Sequence, residues 1–115
     1  MSRTIFVFGS NLAGRHGAGS ALEAHRNHGA VRGVAEGLTG NAYAIPTKDK
    51  NLRTLPIKDI AASVNRFIFF AEDHPIWTFN LVAVGTGLAG YRAEKMADLF
   101  RHAPPNVIKP PEFLP

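Results

Sequence analysis

Residues 4–29, TIFVFGSNLAGRHGAGSALEAHRNHG, read as one strand, one glycine-rich loop and one helix, and that order decides the fold class. Thr4 to Phe8 is a run of β-branched and aromatic residues closed by Gly9-Ser10-Asn11, the pattern of a short strand covered on both faces, as in a parallel sheet. Past the loop, Ala18, Ala21, Leu22 and His25 fall on one side of a helix that Gly29 ends.

Working outward, the same alternation recurs. GVAEGLTG (33–40) is glycine-rich and reads as loop, and NAYAI (41–45) reads as a strand stopped at Pro46. The polar TKDKNLRT follows, and then Pro56 sits well at a helix start. Ile57, Ile60, Ala61, Val64, Phe67, Ile68 and Ala71 recur at helical spacing until DHP (73–75) breaks the pattern. IWTFNLVAV (76–84) is the clearest strand, Ala93, Met96, Ala97 and Phe100 mark a last amphipathic helix, and NVI (106–108) offers a final short strand. Strands alternating with helices predict a compact three-layer α/β/α sandwich around a mainly parallel or mixed sheet, occupying residues 1–108. The tail 109–115, KPPEFLP, holds three prolines in seven residues, which predicts an extended segment without regular structure.

The whole chain narrows the function classes. At 115 residues and 45% apolar content it fits a single core. With no cysteine it has neither disulfides nor thiolate chemistry. The absence of a spanning-length apolar run or a secretory pattern predicts a soluble cytoplasmic protein with no membrane association. The net charge of +4 is concentrated in residues 1–58, with eight Lys or Arg against three acids, and suits an anionic partner.

Sheets of this class bind ligands where strands end and glycine loops let backbone N–H groups approach an anion. Three segments reach that edge. The first carries Gly9, Ser10, Asn11, Arg15 and His16 and enters the helix through Gly17, Ala18, Gly19 and Ser20. The second ends the central strand with Thr47, Lys48 and Asp49. The third, GTGLAGY, comprises Gly85, Thr86, Gly87, Leu88, Ala89, Gly90 and Tyr91. Amide groups of the first and third loops would cradle phosphate oxygens, and Lys48 or Arg15 would neutralise charge. The third loop is no dinucleotide fingerprint, since no ribose-binding acid follows at the expected distance, and no Gly-Lys-Ser/Thr ending makes a P-loop. His25 and His28 lack a third ligand, so no metal is expected, and no other cofactor is. Trp77 and most of Phe67, Phe69 and Phe70 belong in the core rather than on a nucleic-acid stacking platform, leaving one of Phe69 and Phe70 for a helix edge or an oligomer contact.

Together FGSNLAGRHGAGSAL, YAIPTKD and VGTGLAGY resemble the macrodomain superfamily, especially its small bacterial and phage members and, more distantly, the terminal ADP-ribose glycohydrolase branch. The resemblance implies a minimal α/β/α fold that binds ADP-ribose or a related NAD-derived nucleotide. It would place Asn11, Gly17, Ala18 and Gly19 at the distal ribose, the loop from Gly85 to Gly90 around the diphosphate, and Tyr91 against the sugar. In the hydrolytic branch a Thr-Lys pair and a later Asp perform cleavage. Here Thr47 and Lys48 match the pair, whereas Ala89 stands at the Asp position, with Asp49 as the acid nearest in sequence. Nor is there an acid before Glu23 to hold adenine. The expectation is therefore a nucleotide binder, with ADP-ribosyl hydrolysis by Lys48 and Asp49 as the alternative and a basic nucleic-acid- or protein-binding module ranked last.

Overall fold

In the computed structural model, which describes residues 2–115, the expected strand, loop and helix fall at β1 (Thr4–Asn11) and α1 (Gly19–Asn27). They are followed by β2 (Gly37–Thr39), β3 (Ala42–Lys48), α2 (Ile57–Glu72), β4 (Thr78–Leu81), α3 (Ala93–Leu99) and β5 (Val107–Ile108). The five strands form one mixed sheet in the order β2-β3-β1-β4-β5. Only β2 is antiparallel to its neighbour.

β1 is central because its residues are apolar on both faces. Ile5 and Val7 pack with Ile60, Val64 and Phe67 of α2 and with Met96 of α3, whereas Phe8 packs with Ala21 and Ala24 of α1. β3 repeats the division, with Tyr43 and Ile45 in the first cluster and Ala42 and Ala44 in the second. Small residues in β3 and α1 suit the close approach of helix to sheet, while the α2 cluster is built from rings: Phe67 lies edge-on to Phe79 at 5.6 Å and tilted against Tyr43 at 5.1 Å. α2 begins after Pro56, whose missing N–H costs nothing at a helix start. It carries Ile60, Val64, Phe67, Ile68 and Ala71 inward at the spacing read from the sequence, and turns Phe69 outward at 67% exposure.

Four local readings are corrected. The glycine-rich 33–40 segment contributes β2, a strand that exists by pairing Gly37–Thr39 with Ala42–Ala44. β3 does not stop at Pro46 but runs through it to Lys48. Pro46 faces the side where β2 has already ended at the Gly37–Ala44 pair, so no ladder bond is lost there. β4 is shorter than its apolar run, because after Leu81 the Val84 N–H donates to the Val82 carbonyl at 2.8 Å and turns the chain out of the sheet. The tail is not free of regular structure: Pro111–Phe113 makes one 3-10 turn, and the buried Phe113 ring stacks on Phe100 at 5.7 Å.

The topology fixes where a ligand can enter. The chain leaves β1, forms α1 and returns to β3 on one side of β1; it then leaves β3, forms α2 and returns to β4 on the other side. The connections after β1 and β4 therefore part at the C-terminal ends of two adjacent parallel strands, opening a crevice there. Among the described residues no helix is long and apolar enough to cross a membrane.

Candidate functional site

The crevice is a cleft with two adjoining lobes of about 390 and 310 Å³, each within the range of small-ligand sites, about 300–1,000 Å³. Gly9, Ala18, Thr47, Lys48 and Leu88 border both lobes. The larger lobe adds Gly19 and Ser20 from the start of α1, the stretch Gly85, Thr86, Gly87 and Ala89, and Glu112 from the tail. The smaller adds Ser10, Asn11, Arg15, Gly17 and Leu52.

Backbone donors face this space from two sides. α1 opens at Ala18 with no side-chain cap, and the N–H groups of Gly19, Ser20 and Ala21 have no partner among the described residues. Across from them, the N–H groups of Gly85, Gly87, Leu88 and Ala89 are likewise unpartnered. The loop itself is pinned: Gly90 N–H donates to Gly87 O at 3.0 Å, Tyr91 N–H to Gly85 O at 2.9 Å, and Thr54 Oγ1 to Ala89 O at 2.7 Å. Gly85 has φ +78°, and a Cβ there would come within 2.7 Å of Met96 Cε, so glycine is required by the fold. Gly87 is different. Its φ lies outside the left-handed region and a Cβ would meet nothing within 4 Å, so no contact within the protein explains the bare backbone. What it leaves open is the cleft. Helix start and loop together make a surface of oriented N–H dipoles suited to an oxyanion.

Charge is sparse but placed. Lys48 ends β3 at the rim of both lobes and makes no ion pair among the described residues. Arg15 borders the smaller lobe, and no ion pair engages it either.

Several expected ligand contacts are otherwise engaged. Asn11 borders the smaller lobe, but its amide closes its own loop: Nδ2 donates to Arg15 O at 3.0 Å and Oδ1 accepts from Arg15 N–H at 3.1 Å. Asp49 borders neither lobe; its Oδ1 accepts from the N–H groups of Asn51 at 2.8 Å and Arg53 at 2.9 Å, an Asx turn that shapes the loop after β3. Tyr91 also lies outside both lobes, its hydroxyl donating to Leu55 O at 2.7 Å, and Gly90 serves only the turn. Ser10 donates to Ala35 O, Thr47 to Ser10 O at 3.4 Å and Thr86 to Ala83 O at 2.7 Å, so these three line the cleft while fastening its walls. His16 lies beneath the glycine loop, 2% exposed and edge-on to Phe8 at 5.6 Å.

Three contributors were missed by sequence reading. Glu112 reaches the larger lobe because Phe113 anchors the tail; the signal was the apolar Phe set among prolines. Leu52 borders the smaller lobe at φ +62° and was the lone apolar residue within TKDKNLRT. Arg32, which borders a neighbouring pocket with Arg15, lies in a second glycine-flanked segment, VRG. Among the described residues no three His, Asp or Glu side chains gather to hold a metal ion. In comparisons with protein-family models, curated proteins and solved structures, the chain matches none.

Proposed function

We propose that the chain is a minimal macrodomain-like three-layer protein that binds an ADP-ribose-type or other NAD-derived nucleotide in this cleft. The observation that carries the reading is the set of unpartnered N–H groups on residues bordering one lobe, Gly19, Ser20 and Ala21 of α1 and Gly85, Gly87, Leu88 and Ala89 of the loop, with Lys48 at the rim in no ion pair among the described residues. A diphosphate takes the amides, and Lys48 and Arg15 offset its charge. The smaller lobe, with Leu52 and Leu88 as apolar walls beside Asn11, takes a sugar or base.

Calorimetry with ADP-ribose, NAD and AMP tests this. Binding is expected for ADP-ribose, weakened at least tenfold in Gly87→Val, which adds bulk to the cleft at a position where the fold has room for it. Heat from none of the three ligands would sink the reading.

One observation favours a second reading, cleavage of an ADP-ribosyl bond: Glu112 borders the same lobe as Lys48, which returns a carboxylate to a cleft that Asp49 does not enter. The Lys48 amine, its proton taken by Glu112, would attack the anomeric carbon as the bond to the modified group breaks and that group leaves. Water would then hydrolyse the lysine adduct to release ADP-ribose and restore Lys48. ADP-ribose release from a modified protein at the parent rate by Lys48→Ala would exclude that assignment.

A further inference from the structure

Behind the smaller lobe, two loops distant in sequence are locked together. Gly33 N–H donates to Gly14 O at 2.9 Å, and a Cβ on Gly14 would lie 2.5 Å from the Gly33 carbonyl carbon. This backbone contact sets the residues that flank it, Arg15 and Arg32, at one pocket. The pocket, about 240 Å³, is bordered by Arg15, His16, Gly17 and Arg32 and by no carboxylate. Neither arginine makes an ion pair among the described residues.

The floor of the pocket is equally unbalanced. The His16 ring is 2% exposed, and neither ring nitrogen has a hydrogen-bond partner. Its neighbours do not supply one: Phe8 presents an edge at 5.6 Å, and His25, with ring centroid 5.8 Å away, directs Nδ1 to Ala30 O. A buried polar ring without a partner is destabilising and two arginines at one pocket repel, so neither feature is one that packing of the fold explains. The Gly17 N–H has no partner, and a Cβ on Gly17 would meet nothing within 4 Å, which leaves that backbone open to an incoming group.

One kind of occupant answers the unpaired arginines and the open backbone at Gly17. A phosphoryl group accepts from both guanidinium forks and from the Gly17 N–H, and its negative charge offsets the cations around His16. We propose that the Arg15–Arg32 pocket is a second anion site that takes a phosphoryl group, adjoining the cleft through Arg15 and Gly17, which border both spaces. With the nucleotide reading above, on which this part rests, the preferred ligand is a nucleotide carrying a phosphate on a ribose hydroxyl besides its diphosphate. The anion site itself stands apart from that reading.

Two measurements on the intact chain test it. In an NMR titration with inorganic phosphate, the amides of Arg15, Gly17 and Arg32 are expected to shift, and the His16 ring to titrate at higher pH than without phosphate, since burial and then the charges of His25 and Arg32 disfavour its protonation and an anion offsets those charges. Both effects are expected to disappear in Arg32→Gln, a change at an exposed side chain. In calorimetry, NADP is expected to bind at least tenfold more tightly than NAD, with Arg32→Gln abolishing the preference and leaving NAD unchanged. Absence of phosphate-dependent shifts, shifts that survive in Arg32→Gln, or equal affinity for the two dinucleotides would overturn the proposal. If neither dinucleotide bound while phosphate still moved Arg15 and Arg32, the nucleotide reading would fall and the anion site would stand.

Discussion

His16 is buried with neither ring nitrogen hydrogen-bonded. Desolvation, then the charges of His25 and Arg32, hold its proton affinity below the ordinary value of 6.5. As pH falls through 6.5 the unfolded chain therefore takes up the His16 proton before the folded chain does, and stability present above that pH is lost below it. Urea unfolding between pH 7.5 and 5 is expected to show this slope, and His16→Leu to flatten it. Because both nitrogens are unpartnered, the same change is expected to be neutral or stabilising at pH 7.5, replacing a buried polar ring by an apolar side chain. A marked loss of stability in His16→Leu at pH 7.5 would show a hydrogen bond that the structure does not contain. Residue-scale roles were only partly legible in the sequence. That Lys48 and several of the glycines border one cleft could be read, because strand ends and the loops that follow them lie at one edge of such a sheet. The commitment of Tyr91 could not, because the Leu55 carbonyl that claims it becomes a neighbour only once the chain is folded, whereas that of Asp49 is a local Asx turn that the sequence reading passed over.

At the scale of elements, the third loop holds its shape through two bonds to the segment before α2, Thr54 Oγ1 to Ala89 O and Tyr91 Oη to Leu55 O. Removing the second in Tyr91→Phe is expected to lower stability by about 1 kcal/mol. It should also speed amide exchange in residues 85–91 while leaving α2 protected. Uniform exchange across both elements would show that the loop and α2 open as one unit. The elements differ in how far sequence could define them. α2 was readable because seven apolar residues repeat at helical spacing, a pattern with one interpretation. β2 was not, because Gly37-Leu38-Thr39 has little strand character and becomes a strand by pairing with β3. The Pro46 boundary failed for a related reason: proline ends a strand where a neighbour requires its N–H, and here β2 has already stopped. Glu36 ties the segment before β2 to α2, accepting from Arg66 Nε at 2.6 Å and from Ser63 Oγ at 3.0 Å. The Arg66 bond chiefly holds its carboxyl below the usual range.

Across the whole molecule, the tail couples the end of the described chain to the cleft. Phe113 is buried against Phe100, and the preceding residue, Glu112, thereby borders the larger lobe. Phe113→Ala is expected to cost about 3 kcal/mol and to make the Pro-rich tail open to proteases at residues 109–115. Glu112→Gln, which keeps the ring anchored, is expected to tighten ADP-ribose binding about two- to fivefold by removing a like charge from the lobe. Weaker binding in Glu112→Gln would mean that the carboxylate accepts a hydrogen bond from the ligand. The fold class followed from the alternation of apolar periods, but the tail's place could not, since three prolines describe a local conformation and not what Phe113 packs upon.

The central position of β1 carries a consequence for how the molecule is made. β1 precedes both of its neighbours in the chain: Phe6 pairs with Ala42 and Thr4 with Thr78. During synthesis its edges wait until β3 and β4 have emerged and its α2-facing side until α2 has, because the β2–β3 hairpin is local but leaves β1 to be paired from a distance. Such distant pairings favour slow folding, on the order of milliseconds to seconds. They leave TIFVF, the stretch that decides the fold, as the segment most exposed to wrong partners while the chain is incomplete.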